Sequence, residues 1–401
     1  MSKRAESSRP GGPARWAGTT VLAAAVLVLA GCAGEPALAP SAEPTASDPA
    51  ISRPAAPEGE LSPELQDRLQ QTVDETMAEY GVPGAAVGVW IPEQGSWTSA
   101  AGIADLEGDV PVTTDMQWPL RSITKSYTVT LLLQLVDEGL LSLDESIGQY
   151  VDGVTDGEEI TLRQLANMSS GNADYTKDAF VEAFSEDPER IFTLDELNGF
   201  MLGEPAQFAP GARKVYTNAN TNLLGATIEA VTGEEFADVL WERILEPLGQ
   251  DGTEYNLDVA TWSAPHPVGY APVDGGFEPQ ADNLSVFGPA GSMVSSLDDA
   301  RVWGEILATG AMLQPETQAE REEGAPLEVG PPYDLYALGM GETGGWWGHN
   351  GEGFGFTAAV FHEPETGATI AVFTNVSNLA DRAHPADQMF RRLAAVVDEE
   401  K

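Results

Sequence analysis

Ser122 and Lys125 stand three residues apart at the head of the stretch "RSITKSYTVTLLLQLVDEGLL", in a chain of 401 residues that holds only five lysines. From Tyr127 onward the stretch reads as a buried helix, with Leu131, Leu132, Leu135 and Val136 on one face and Gly139 near its stop. A core helix gains nothing from a serine and a lysine in its first turn. Spaced i, i+3, however, the two side chains share a face and can touch. A serine hydroxyl is a weak nucleophile until a base takes its proton. A lysine serves as that base only where desolvation and nearby positive charge depress its pKa. The mouth of an apolar helix offers both, because its unpaired N–H groups carry partial positive charge. Those amides can also bind a developing oxyanion. The pair, the one S-x-x-K in the chain, fits a serine nucleophile with a lysine base, and taken alone it fits a plain helix N-cap as well.

Other chemistries find no support. The chain has no G-x-S-x-G elbow, no H-E-x-x-H, no cysteine pair and no P-loop glycine–lysine pair. His266, His349, His362 and His384 show no ligand spacing, so neither a metal nor any other cofactor is expected. Two further clusters accompany the Ser–Lys pair: Tyr216-Thr217-Asn218 just before a predicted helix, and His349-Asn350-Gly351 entering a predicted strand, followed by Glu352.

S-x-x-K, Y-x-N and H-x-G in this order resemble the serine β-lactamase and penicillin-binding protein family. The likeness is to the class C β-lactamases and the DD-carboxypeptidases and esterases grouped with them, and it covers about residues 62 to 397. Flanking segments such as "GVPGAAVGV", "ITLRQLANMSSG" and "GPAGSMVSSLDDAR" share it. The resemblance implies that Ser122 is acylated while Lys125 handles its proton. It also implies that Tyr216, held by Lys125, acts as acid or base at the leaving group, with the acylation base either lysine or tyrosine. Asn218 would bond the substrate's amide side chain, and His349 would position a substrate carboxylate and tune Tyr216. Gly351 completes the strand motif, and the backbone N–H groups of Ser122 and Glu352 would form the oxyanion hole. A histidine at 349, where class C β-lactamases carry lysine, favours the carboxypeptidase or esterase branches. Glu352, if it faces the cleft, would oppose a substrate carboxylate, and Arg121 would offset it.

These residues need a scaffold. A helix is expected from about Pro63 to Tyr80, then a hairpin around "PEQG". A second hairpin is expected around Pro364–Gly367, then a helix from about Pro385 to Val397. Helical signals dominate between residues 122 and 299. The expected fold is α/β (α+β): a largely antiparallel sheet flanked by helices and built from both chain ends, with an inserted, mostly α-helical subdomain. It would occupy residues 61–398.

Upstream, Lys3, Arg4, Arg9 and Arg15 precede the apolar run "VLAAAVLVLA" and then "LAGC", which resembles a bacterial lipobox. Residues 1–31 are expected to be a signal peptide and Cys32 the lipid-attachment site. Residues 32–60, rich in proline and alanine, are expected to be a tether at the extracytoplasmic face of the cell membrane. With Lys+Arg 20 against Asp+Glu 63, the net charge of -43 argues against nucleic acid as a partner. The preferred substrate is the D-alanyl-D-alanine end of a peptidoglycan stem peptide. Ester, D-amino peptide and β-lactam substrates remain open, as does a lipoprotein that binds penicillin or muropeptide without turnover.

Overall fold

Strand β1 (Gly84–Ile91) is buried along its whole length, and its alternation sends side chains into two different cores. Ala85, Val87, Val89 and Ile91 point to one side, Ala86 and Trp90 to the other. A sheet covered on both faces follows, and the computed structural model, which describes residues 51–377, 379 and 383–400, contains one. β1 continues into β2 (Gly95–Asp105) and the short β3 (Val110–Pro111); the other end of the chain supplies β4 (Leu335–Tyr336), β5 (Gly341–Thr343), β6 (Trp346–Gly353), β7 (Phe356–Glu363) and β8 (Ala368–Thr374). The sheet order is β3-β2-β1-β8-β7-β6-β5-β4, antiparallel throughout. β1 pairs with β8, Ala85 opposite Thr374 and Val89 opposite Ile370, so the two chain ends meet in the middle of the sheet.

One face is covered by α1 (Pro63–Tyr80) and α5 (Pro385–Asp398), which pack on each other and on the sheet. α1 begins where Ser62 Oγ accepts the Leu65 N–H and Pro63 takes the first helical position; it ends at Gly81 in the left-handed region. Its Leu65, Leu69 and Val73, four residues apart, form the buried stripe. Against the other face lies α4 (Leu297–Thr309), with α2 (Thr124–Asp137) and α3 (Asn218–Thr232) in the helical region beyond it. The expected fold class and both hairpins are present. The inserted region also contains a three-stranded sheet, Trp118–Pro119, Met293–Ser295 and Thr253–Tyr255, which carries the approach to Ser122.

The expected signal peptide and Cys32 lie outside the described residues, as does most of the expected tether. The last part of that tether is docked on the folded body rather than extended from it. Arg53 donates to the carbonyls of Leu248 and Gly249, at 3.3 and 2.6 Å, and pairs with Asp298 and Asp299. Gly59 and Leu61 bond with Ser96 at the start of β2. The chain is therefore already packed on the body at residue 53, ahead of the expected start at 61, because a single arginine finds two carboxylates and two helix-end carbonyls. Arg53→Ala is expected to lower stability by about 1–3 kcal/mol, read as a shifted urea midpoint. An unchanged midpoint would show that the segment rides loosely.

Candidate active site

The nucleophile turn is built from a strand that stops abruptly. Trp118–Pro119 pairs with Val294–Ser295, Leu120 N–H donates to Met293 O at 2.8 Å, and Arg121 then swings to φ 51°. A non-glycine residue in that region is held only when its surroundings over-determine it. Here the arginine side chain does so. Its Nε donates to Gly353 O at 3.0 Å, its Nη2 pairs with Asp282 at 2.9 Å, and the guanidinium lies over the rings of Phe287 and Phe356. Arg121 is thus a buried brace for the turn and does not line the cleft, so it is not placed to offset Glu352 as expected.

Ser122 lies in the short 3-10 turn Arg121–Ile123 that leads into α2, and Lys125 lies in the first turn of that helix. Lys125 is fully buried. Its Nζ is 3.0 Å from Ser122 Oγ, 2.7 Å from Asn218 Oδ1 and 2.9 Å from the Ala290 carbonyl. Burial pulls its pKa down to about 7, while the charge of Asp174 acts in the opposite sense. The contacts suit a neutral amine. Asn218 Oδ1 and Ala290 O can only accept, so they take its two hydrogens and leave the lone pair toward the serine hydroxyl.

Tyr216 meets this group differently from expectation. The Lys125 nitrogen sits over the tyrosine ring, 5.0 Å from its centroid, because its hydrogen-bonding directions are already committed. The Tyr216 hydroxyl is buried, without a hydrogen-bonded partner among the described residues, and close enough to Ser122 for that side chain to favour its ionised form. Burial outweighs this and raises its pKa well above the ordinary phenol value. Asn218, at the start of α3, is held from behind. Asp174 Oδ2 accepts both its backbone N–H and the Thr217 hydroxyl, each at 2.8 Å. Asp174 caps α3 from another segment and bears on Lys125 at the same time. Sequence reasoning missed it because no local spacing ties residue 174 to residue 218.

His349 is fully buried and stands outside the cleft wall. Its Nδ1 lies 3.2 Å from the Tyr333 hydroxyl and its Nε2 3.3 Å from that of Tyr336. Burial and the charge of Lys125 push its pKa down to about 3. With the ring buried outside the cleft wall and both nitrogens at tyrosine hydroxyls, His349 is not placed to meet a substrate carboxylate as expected; its side chain supports the tyrosine layer instead. Gly351 is placed by close approach. A Cβ there would sit 2.3 Å from Leu120 O and 3.0 Å from Ser122 N, so any side chain would wedge β6 away from the nucleophile. Glu352 does line the cleft. This cleft, of about 320 Å³, is walled by Ser122, Tyr216, Asn218, Phe287, the segment Gly330 to Pro332, Asn350, Gly351, Glu352 and His384.

This geometry suits a nucleophilic serine with a desolvated amine as its base. Single-turnover acylation by an activated ester is expected to rise with pH through about 7, as Lys125 loses its proton, and then to level off. A flat profile across that region would exclude Lys125 as the base. Asp174→Asn removes the charge that holds the lysine proton on, so the rising limb should move to lower pH. An unmoved limb would show that Asp174 acts through the α3 cap alone.

Comparisons with known proteins agree with this arrangement. The family profile described as Beta-lactamase matches residues 69–394. A D-aminopeptidase of Brucella anthropi is 31% identical over 314 residues, covering 76% of this chain and 58% of that protein. The chain thus spans about three fifths of the length of the curated relatives it matches. Among solved structures, a D-stereospecific amidohydrolase from Streptomyces sp. superposes with a TM-score of 0.71 at 28% identity, covering 81% of this chain and 97% of that one. The D-amino acid amidase from Ochrobactrum anthropi SV3, complexed with L-phenylalanine amide, gives 0.73 at 25% identity, covering 84% and 99%. With its profile matched over most of its length and its serine, lysine and tyrosine gathered at one cleft, the chain belongs to the β-lactamase family.

Proposed function

We propose that this protein is a serine hydrolase of D-configured amides or peptides that acts beside a free α-amine. The observation that carries the reading is Ser122 at the cleft with the buried Lys125 amine 3.0 Å from its Oγ, and Glu352 lines the same cleft. A carboxylate in such a wall favours a substrate ammonium and disfavours a substrate carboxylate nearby. The relatives named D-aminopeptidase, D-amino acid amidase and D-stereospecific amidohydrolase support the same stereochemistry.

In this reading neutral Lys125 takes the Ser122 proton as Oγ bonds to the scissile carbonyl carbon. The backbone N–H groups of Ser122 and Glu352, brought together by the Gly351 contact, receive the oxyanion. Tyr216, whose phenol stays protonated, passes its proton to the departing nitrogen as the C–N bond breaks. Lys125 is the better acylation base because its pKa lies near neutrality while that of the tyrosine is far above it. Asn218 keeps its amide nitrogen for the substrate, its oxygen being held by Lys125. Water then cleaves the serine ester: its oxygen bonds the acyl carbon as one proton passes to the Tyr216 phenolate, and Lys125 returns its proton to Ser122 Oγ as the ester C–O bond breaks. The lipid anchor at Cys32 and a location at the extracytoplasmic face, near peptidoglycan, stay part of this proposal on the strength of the "LAGC" segment and the proline-rich stretch that follows it.

The test compares D-alanine p-nitroanilide with its L-enantiomer and its N-acetyl derivative. Turnover should favour the free-amine D-compound by about tenfold or more, Glu352→Gln should narrow the preference over the acetylated one, and Ser122→Ala should abolish activity. If N-acetyl-D-alanyl-D-alanine were cleaved faster than its free-amine counterpart, the carboxypeptidase reading would replace this one.

A further inference from the structure

The backbone N–H groups of Ser122 and Glu352 belong to segments far apart in the chain, and Arg121 touches both segments at once. Its carbonyl carbon is bonded to the Ser122 nitrogen, so the left-handed backbone at residue 121, with φ 51°, helps set the plane of the peptide that carries the Ser122 N–H. Its side-chain Nε donates to Gly353 O at 3.0 Å, two peptides along β6 from the Glu352 N–H. Between these points β6 lies close against the turn, where a Cβ on Gly351 would sit 2.9 Å from Arg121 Cβ.

The way the guanidinium is committed points the same way. Arginine and aspartate pair most strongly when two N–H groups meet both carboxylate oxygens. Here only Nη2 meets Asp282, at 2.9 Å on Oδ1. Arg121 Nη1 and Asp282 Oδ2 are both buried and have no hydrogen-bond partner among the described residues. A donor and an acceptor left unmatched inside one buried pair cost free energy, and such groups in a native structure call for a reason. The reason offered by the geometry is the Gly353 carbonyl, toward which Nε is turned. Phe287 and Phe356 flank the guanidinium, their centroids 5.1 and 5.3 Å from Cζ. Phe287 also packs edge-on against Phe354, the residue after Gly353, whose own φ is 40°. The nucleophile turn and the end of β6 therefore share one buried support.

We infer that Arg121 is the positioning residue of the oxyanion hole: its Gly353 bond holds the end of β6 at the distance from the nucleophile turn at which the Ser122 and Glu352 N–H groups share one oxygen. It does not line the cleft and so acts through those two peptides alone. The inference rests on the acyl transfer proposed above and deepens it by naming what registers the two donors; the stereochemistry of the substrate does not enter.

Single-turnover acylation by p-nitrophenyl acetate reads the hole. Ser122 Oγ bonds the ester carbon as Lys125 takes its proton, the carbonyl oxygen carries the charge between the two N–H groups, and collapse expels p-nitrophenolate. Arg121→Lys puts a methylene where Nε was, so it can keep the Asp282 pair but loses the Gly353 bond. It should slow acylation by about tenfold or more. It should also weaken, by a similar factor, inhibition by phenylboronic acid, whose tetrahedral serine adduct places an oxygen in the hole. Ester affinity should stay within about twofold, and the rising limb near pH 7 should not move. Arg121→Gln combined with Asp282→Asn does the reverse: it restores an N–H at the Nε position and removes the pair, and it should acylate within about threefold of wild type. Should the lysine variant not fold, Arg121→Met with Asp282→Asn, which has no donor, takes its place against the glutamine double variant.

A lysine or methionine variant that acylates as fast as the glutamine one would overturn the inference, because the Gly353 bond would then carry nothing. So would a moved pH limb, which would make Arg121 a partner of Lys125, or slowed acylation with boronate affinity intact, which would leave it a support of the turn alone. Wild-type enzyme that the ester fails to acylate would bring down the serine hydrolase reading and this inference together.

Discussion

The removal of the Lys125 amine from water is the constraint on which the rest of this structure depends. An ammonium in bulk solvent cannot act as a base near neutral pH, and only burial brings it into range. Burial in turn requires that every hydrogen-bonding direction be met by protein. The three partners come from three segments: the turn before α2, the start of α3 and the loop around residue 290. That loop is itself fixed from two sides. Thr128 Oγ1 donates to Pro289 O at 2.7 Å and Ala290 N–H to Asn222 Oδ1 at 3.0 Å. The Ala290 carbonyl is aimed by these bonds, so packing around the lysine and positioning of its partners are one requirement.

Charge near the site is rationed. The chain carries -43 overall, yet the cation deepest in the nucleophile turn, Arg121, answers to one acid, Asp282, and Lys125 feels chiefly Asp174. Asp174 sits where two demands coincide, because a carboxylate that caps α3 is also within electrostatic range of the amine. For His349, burial and the charge of Lys125 act together to favour the neutral ring. The tyrosines beside it are raised by burial, so the layer behind Tyr216 presents hydroxyls rather than charges.

What could be read from the sequence was what local spacing encodes. Ser122 and Lys125 are one helical turn apart, α1 announces itself with Ser62-Pro63 and Gly81, and both hairpins have compact turns. The fold class followed from strands at the two chain ends with helices between. Asp174 could not be read, since its link to Asn218 exists only after folding. The burial of His349 was hidden as well: a histidine between glycines looks accessible until Tyr333 and Tyr336 close over it. His384 was passed over because its spacing to other histidines suggested no metal, although it caps α5 and lines the cleft. Strands of two or three residues, such as Trp118–Pro119, have no periodicity to detect.

Docking of the segment from Arg53 to Glu60 ties the first described residues to the body far from α1 in sequence. A fully extended chain gains roughly 3.5 Å per residue, so these eight residues give up a reach of about 28 Å by lying along the body. Their Arg53 end is held at the corner where Gly249 meets the first turn of α4, so loss of that one side chain would loosen the stretch at one end while the Gly59 contact still holds the other.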